Sequence, residues 1–224
     1  MWIDDQILKR CSETLVVDCW IPSEQMVVLG AANLASMEVF EDTCAELGVS
    51  VLKRAGGGGT VVLYPGVVVV SVGCWVGQHF QNRLYFDRIN QAMIACLQPL
   101  SKDVLEQRGI SDLCIDQRKF CGTSMFRSKN YLLYQASVLA HCDFELFAKV
   151  LRHPSREPDY RKGRRHEDFL VGLCEMDPEL KTARILSTLK KDLGHHLLDK
   201  LGDELIQSQP DQWAHLLNRG SGSV

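Results

Sequence analysis

Residues 53–60 read Lys53-Arg54-Ala55-Gly56-Gly57-Gly58-Gly59-Thr60, with Ser50 to Leu52 before them and Val61 to Tyr64 after. Both flanks are β-prone. Four consecutive glycines remove every Cβ from roughly a dozen ångströms of extended chain, at ~3.3 Å per residue. Ordering such a stretch costs conformational entropy. A flexible hairpin tip avoids that cost by staying loose. A binding segment offsets it by laying backbone N–H groups against a ligand. The strand-like flanks, and Arg54 placed to meet a bound anion, favour the binding reading. The run matches neither G-x-G-x-x-G nor G-x-x-x-x-G-K-[ST], and it enters a strand instead of a helix. That weighs against a dinucleotide fold and a P-loop NTPase.

Outward from the glycines, Thr14 to Trp20 and Gln25 to Leu29 are β-rich runs separated by Pro22-Ser23, read as an antiparallel pair. Ser36 is placed to cap a helix carrying Met37, Phe40, Cys44 and Leu47 on one face, stopped by Gly48. Pro65-Gly66 turns into the valines of Val67 to Gly73, a strand buried on both faces. Leu84 to Leu100 has helical spacing. Asp112 to Asp116 and Lys119 to Arg127 are strands joined at Gln117-Arg118, and Tyr131 to Ala140 continues the sheet. Asp143 caps a short helix, and His153 to Asp168 is a charged loop. Asp177-Pro178 opens an amphipathic helix with Ala183, Leu186, Leu189, Leu193, Leu197 and Leu201 inward. Clustered strands without βαβ alternation predict an α+β fold with a mixed, largely antiparallel sheet and flanking helices. The expected organisation is a single domain over 1–218, its C-terminal helix at 177–202, and a disordered tail at 219–224.

Composition excludes several function classes. A formal charge of −3 over 224 residues supplies no basic surface for nucleic acid. The longest apolar run, Val67 to Val72, is far short of a membrane span, and the first residues lack a signal-peptide layout. Nine scattered cysteines without CxxC spacing indicate neither a zinc site nor a disulfide framework. Reduced core thiols imply a soluble protein of the cytoplasm. His195 and His196 are adjacent on a helix and diverge, so they make no metal pair.

A second stretch, Asp112-Leu113-Cys114-Ile115-Asp116-Gln117-Arg118-Lys119-Phe120-Cys121-Gly122-Thr123-Ser124, places one ammonium at the start of a returning strand. Gly122 and Ser124, one alternation step apart, are assigned to the face opposite Phe120. Taken alone, Lys119 reads as a solvated hairpin residue. The basic cluster from Arg161 to Arg165 reads as a solvated loop or as a docking surface for acidic or phosphate groups.

Together the two stretches resemble the lipoate-protein ligase family, within the group that includes biotin-protein ligases and octanoyltransferases. The resemblance rests on Arg54, Gly57 to Gly59 and Val61, then on Asp112, Asp116, Arg118, Lys119, Gly122 and Ser124 in that order. Val27 to Gly30 with Asn33, Asp143 to Leu146, and Pro158 to Arg164 with His166 and Phe169 extend it over about residues 14–175. It implies transfer of a lipoyl or octanoyl group to one lysine of a small acidic lipoyl carrier domain, of the E2-subunit or glycine-cleavage H-protein type. ATP and Mg²⁺ are implied with it. Lys119 would be the catalytic anchor, with Arg54, Gly57, Gly58, Gly59, Asp116, Gly122, Ser124 and Ser137 lining the acyl-adenylate site.

The chain also departs from the family pattern. Leu63-Tyr64-Pro65 stands where a histidine and an aspartate are common. Tyr134-Gln135-Ala136-Ser137 replaces a His-Gly-Thr or His-Gly-Ser pattern, and Ala31 replaces an arginine. Asp116-Gln117 replaces an Asp-Gly turn, so a different turn type is expected. Family octanoyltransferases use a cysteine thioester, which requires an activated thiolate. Cys114, Cys121 and Cys142 lie near the motif, yet each reads as a core thiol, so activation by ATP is the simpler route. An accessory part, if required, is expected on a separate chain. A cysteine-dependent acyltransferase and a catalytically silent acyl- or carrier-binding protein of the same fold are the alternatives.

Overall fold

A computed structural model describes residues 5–78 and 81–217. Its larger sheet is six-stranded and antiparallel throughout. In spatial order its strands are β1 (Leu15–Trp20), β5 (Val67–Trp75), β9 (Tyr131–Leu139), β8 (Arg118–Ser128), β7 (Asp112–Ile115) and β6 (Leu105–Arg108). The smaller sheet runs β3 (Ser50–Lys53), β2 (Met26–Leu29), β4 (Val61–Leu63), with β2 parallel to β3 and antiparallel to β4. This is the α+β, largely antiparallel architecture expected from the sequence.

Every residue of β5 is buried, as its valine run requires. Val68, Val70, Val72 and Cys74 pack under α4 (Asn82–Leu97) and α8 (Thr182–Leu201). Ile185, Leu189, Leu193, Leu197 and Leu201 form the buried stripe of α8. Each such burial is worth roughly 1.5–3 kcal/mol, enough to fix the helix against the sheet. Val67 and Val69 face the other way, into a second cluster with Val27, Val28 and Leu63 of the small sheet. Phe147 of α5 (Phe144–Val150) joins that cluster. Asp143 caps α5, its Oδ1 accepting the Leu146 N–H at 2.9 Å. A third cluster seals the far end, where α1 (Asp5–Leu8) and α9 (Pro210–Leu217) meet Trp75 and Tyr131. The face turned away from α4 and α8 is thus the one the small sheet covers.

Four expectations are corrected. β1 and β2 do not pair: β1 runs the length of β5, from Leu15 opposite Cys74 to Trp20 opposite Val69, while β2 is central in the small sheet. The helix expected after Ser36 is two, α2 (Ala35–Glu38) and α3 (Glu41–Glu46). Val39 between them is extended and bridges Leu151, so Met37, Phe40 and Leu47 are exposed and Cys44 alone turns inward. The long helix starts at Thr182. Asp177 Oδ1 instead accepts the Glu179 N–H in a local turn after α7 (Leu173–Met176), and Ala183 is exposed while Ile185 is buried. Asp116 and Gln117 both have positive φ, +44° and +67°, the signature of a two-residue type I′ turn. The Asp-Gly geometry is kept without its glycine. The tail expected at 219–224 lies outside the described residues.

Candidate functional site

The glycine stretch crosses from β3 to β4 as an ordered loop bolted down by Arg54. That side chain is buried, and its guanidinium donates to the carbonyls of Val28 (3.2 Å), Gly57 (2.8 Å) and Gly59 (2.7 Å). Arg54 thus engages the loop's own carbonyls, where a partner anion was expected. Gly58 has φ +93°, which disfavours any side chain, and a Cβ on neighbouring Gly30 would lie 2.2 Å from the Gly58 carbonyl oxygen. The Ala31 N–H, donating to the Gly56 carbonyl at 2.9 Å, completes the clamp. A Cβ at Gly57 or Gly59 would meet nothing within 4 Å, so this part of the loop opens onto space.

Opposite the loop stands Lys119, aimed by an irregularity in β8. Leu113 pairs with Cys121 but Cys114 pairs with Lys119, so Phe120 is an extra residue in the ladder. Phe120 and Cys121 both sink into the cluster beneath the helices. Lys119 and Gly122 share the other face: a Cβ on Gly122 would lie 3.0 Å from Lys119 Cε and 3.1 Å from its Nζ. Strict alternation would have put Phe120, Gly122 and Ser124 on one side. The bulge separates them, which gives the expected assignment its physical basis.

Lys119 Nζ is 2.7 Å from Asp112 Oδ1, with both side chains mostly buried. The Tyr160 hydroxyl donates to Asp112 Oδ2 at 2.9 Å. Burial, followed by the Asp112 charge, pushes the Tyr160 pKa far above its ordinary value, so it remains a donor. The Tyr160 ring lies against Phe169 of α6 (His166–Phe169), at 5.3 Å between centroids. Arg161 and Arg164 stack over the same Phe169, and Arg164 Nη2 donates to the carbonyls of Tyr160 (2.9 Å) and Gln117 (3.1 Å). Two arginines of the basic cluster are thus structural, and Lys162 and Arg165 are exposed.

One pocket between the two sheets collects most of these groups. Arg54, Gly59, Lys119, Gly122, Ser124 and Ser137 line it, together with apolar Val28, Val61, Leu63 and Val69. Gly57 and Gly58 adjoin it within the loop. Asp116 does not belong: it is exposed on the hairpin turn, and Asp112 is the carboxylate that reaches Lys119. Sequence reasoning quoted Asp112 without a role, because the bulge that pairs Cys114 with Lys119 leaves no local signal. Tyr160, Thr60 and Gln135 were also missed as site residues. The basic loop containing Tyr160 was noted, but its contact spans 48 residues.

The thiols do not look like nucleophiles. Burial pushes Cys114 up to about 11 and Cys142 up to about 12, and Cys121 higher still. All nine cysteines are unpaired, and Cys142 is the only one not fully buried. Among the described residues no group of three or more His, Cys, Asp and Glu side chains could hold a metal ion.

The family model for the lipoyl protein ligase A/B catalytic domain matches residues 1–189. The chain belongs to that family. Among curated relatives of this lipoyl ligase family, the inactive lipoate–protein ligase 2 of Plasmodium falciparum (isolate 3D7) is 22% identical over 88% of the chain and 59% of its own length. The lipoate–protein ligase of Streptococcus pyogenes serotype M5 is 30% identical over 65% of the chain and 42% of its own length. The chain therefore spans about half the length of these relatives. A chain from the archaeal lipoylation system of Thermoplasma acidophilum, with its bi-partite lipoate protein ligase and E2 lipoyl domain, superposes with a TM-score of 0.72. It is 16% identical and covers 98% of this chain and 89% of that one. A lipoate-protein ligase A bound with ATP superposes with a TM-score of 0.70 at 18% identity, covering 96% and 85%. At these identities the likeness concerns the fold, which is that of the lipoyl ligase family.

Proposed function

We propose that this chain transfers a lipoyl or octanoyl group to the lysine of a lipoyl carrier domain, through an ATP-derived acyl-adenylate. The observation that carries the reading is the Lys119 ammonium, fixed over Gly122 in the wall of a largely apolar pocket between two sheets. Val28, Val61, Leu63 and Val69 would hold the acyl chain, and the glycine loop would let it lie against backbone. Lys119 would then stand at the acyl carbonyl and its leaving phosphate, where negative charge develops as the carrier amine attacks. The Ser124 and Ser137 hydroxyls line the same wall. The described residues offer no cage for a resident Mg²⁺, and Asp112 is committed to Lys119 and Tyr160. Any Mg²⁺ would enter on the triphosphate with its own waters, and no step here depends on it.

The carrier domain is of the E2 or H-protein type, and a separate accessory subunit belongs to the same reading, supported by the bi-partite archaeal ligase. Nine unpaired cysteines fit a reducing cytoplasmic setting. No helix among the described residues is long and apolar enough to cross a membrane. The thioester route is disfavoured by the raised thiols. A silent acyl- or carrier-binding role is the second reading, motivated by the relative described as inactive and by an Arg54 engaged with carbonyls.

Intact mass of an apo lipoyl domain tests this directly. One arm contains lipoate or octanoate with Mg·ATP, the other an octanoyl-carrier protein without ATP. Gain in the first arm alone, lost with Lys119→Ala, supports the ligase. Gain in the second alone sinks the ATP route. Ligand binding without gain in either arm supports the silent reading.

A further inference from the structure

Glu38, at the end of α2, is 3% exposed and forms no ion pair among those found for the described residues. A buried carboxylate without a cation costs several kcal/mol unless hydrogen bonds compensate it. Here two hydroxyls do so. Ser155 Oγ donates to Glu38 Oε1, and Thr60 Oγ1 donates to Oε2 at 3.3 Å. Thr60 follows the four glycines and lines the pocket. Its oxygen also accepts the Asn33 Nδ2–H at 3.2 Å. A hydroxyl has one proton and two lone pairs. In Thr60 the proton goes to Glu38 and one lone pair to Asn33, leaving the second lone pair for a donor in the pocket.

Among the described residues, the pocket lining contains no carboxylate or imidazole to accept a proton. A carrier lysine has an ordinary pKa of about 10.4 and arrives as an ammonium. It must lose a proton before it can attack. Asp112 is held by Lys119 and Tyr160, which leaves Glu38 as the carboxylate joined to the pocket wall through a hydroxyl. We infer that Thr60 and Glu38 form the proton exit for the nucleophile, with Asn33 orienting the hydroxyl. The ammonium gives one proton to Thr60 Oγ1 while the Thr60 proton passes to Glu38 Oε2. The freed amine pair then forms the C–N bond, and the acyl C–O bond breaks with its electron pair leaving on the phosphate. The second amine proton goes to solvent. Glu38 is a positioning and proton-accepting residue acting through Thr60.

This inference rests on the acyl-transfer reading, and the test keeps the two apart by changing the nucleophile. Hydroxylamine is neutral at pH 7 and needs no base. Glu38→Gln preserves shape and keeps one accepting oxygen, with the amide nitrogen donating where the other oxygen accepted, and it removes the proton acceptor. Wild type, Glu38→Gln, Thr60→Val and Thr60→Ser are given octanoate and Mg·ATP, then offered either hydroxylamine or apo lipoyl domain. Circular-dichroism melts verify folding. The expected result is a ratio of carrier transfer to hydroxamate that falls about 100-fold for Glu38→Gln and Thr60→Val. Thr60→Ser should retain transfer. Equal losses with both nucleophiles would reduce Glu38 to a structural group and overturn the inference, as would unchanged carrier transfer by Glu38→Gln. A wild-type chain active with neither nucleophile overturns the acyl-transfer reading and this assignment with it.

Discussion

Lys119 Nζ lies 2.7 Å from Asp112 Oδ1, so the ammonium is held by a carboxylate that is itself held by Tyr160. Tyr160→Phe removes the phenol and leaves the ring on Phe169. A hydrogen bond to a charged group is worth about 1.5–3 kcal/mol, and urea unfolding should show a loss near the lower end. The acyl KM should hold while kcat falls several-fold, because Lys119 is aimed less well and the slot is intact. A rise in KM with kcat unchanged would mean that Tyr160 shapes the slot.

Gly122→Ala tests the ammonium's position from the other side. The new methyl would come within 3.0–3.1 Å of Lys119 Cε and Nζ, the far end of a flexible side chain. Stability should stay within ~1 kcal/mol, since alanine is favoured over glycine in a strand interior by roughly that amount. Acyl transfer should nevertheless fall at least about tenfold, the equivalent of 1.4 kcal/mol in the transition state. Thermal melts combined with the intact-mass assay separate the two effects.

Gln117 occupies a left-handed position, φ +67°, in a turn that prefers glycine there. Gln117→Gly should raise stability by about 0.5–1 kcal/mol, the relief of the left-handed strain exceeding the added chain entropy. A higher urea midpoint with unchanged slope would confirm it. The Arg164 contact to the residue-117 carbonyl survives, because it uses backbone.

His166 gives stability a pH dependence. Burial first, then Arg161, His153 and Lys119, lowers its folded pKa to about 4, against an ordinary 6.5. Between those values the unfolded chain binds the proton more readily. Stability from this group is therefore present above about pH 6.5 and is lost as pH falls toward 4. Urea midpoints should decline between pH 7 and 5, and His166→Gln should flatten that decline. An equal decline in the variant would assign it to other groups.

The parts of the site legible in the sequence were those in which chemistry and spacing coincide locally. The glycines with Arg54, and Lys119 with Gly122 and Ser124, occupy contiguous stretches that carry their own signal. The valines of β5 and the leucines of α8 were legible because burial needs only a periodic apolar pattern. Asp112 was displaced by Asp116 in the reading because the Lys119 partner depends on strand register. Tyr160 and Thr60 belong to the site through contacts across the fold. The helix at Met37 failed for a related reason: Val39 gains more as a bridge to Leu151 than as a helical residue, and periodicity cannot weigh a distant strand.

The extra residue at Phe120 sets which side of the sheet is wet and charged and which is greasy. Two consecutive side chains, Phe120 and Cys121, go down together, and from there outward the parity of the strand is reversed. Flattening the bulge with no residue removed would put Lys119 on the face opposite Gly122, in the oil beneath the helices, whereas deleting Phe120 would restore regular pairing and leave Lys119 beside Gly122. The polarity of the site is thus written in chain length as much as in residue identity. Substitution scans are blind to that property, and single-residue insertions and deletions in β8 expose it.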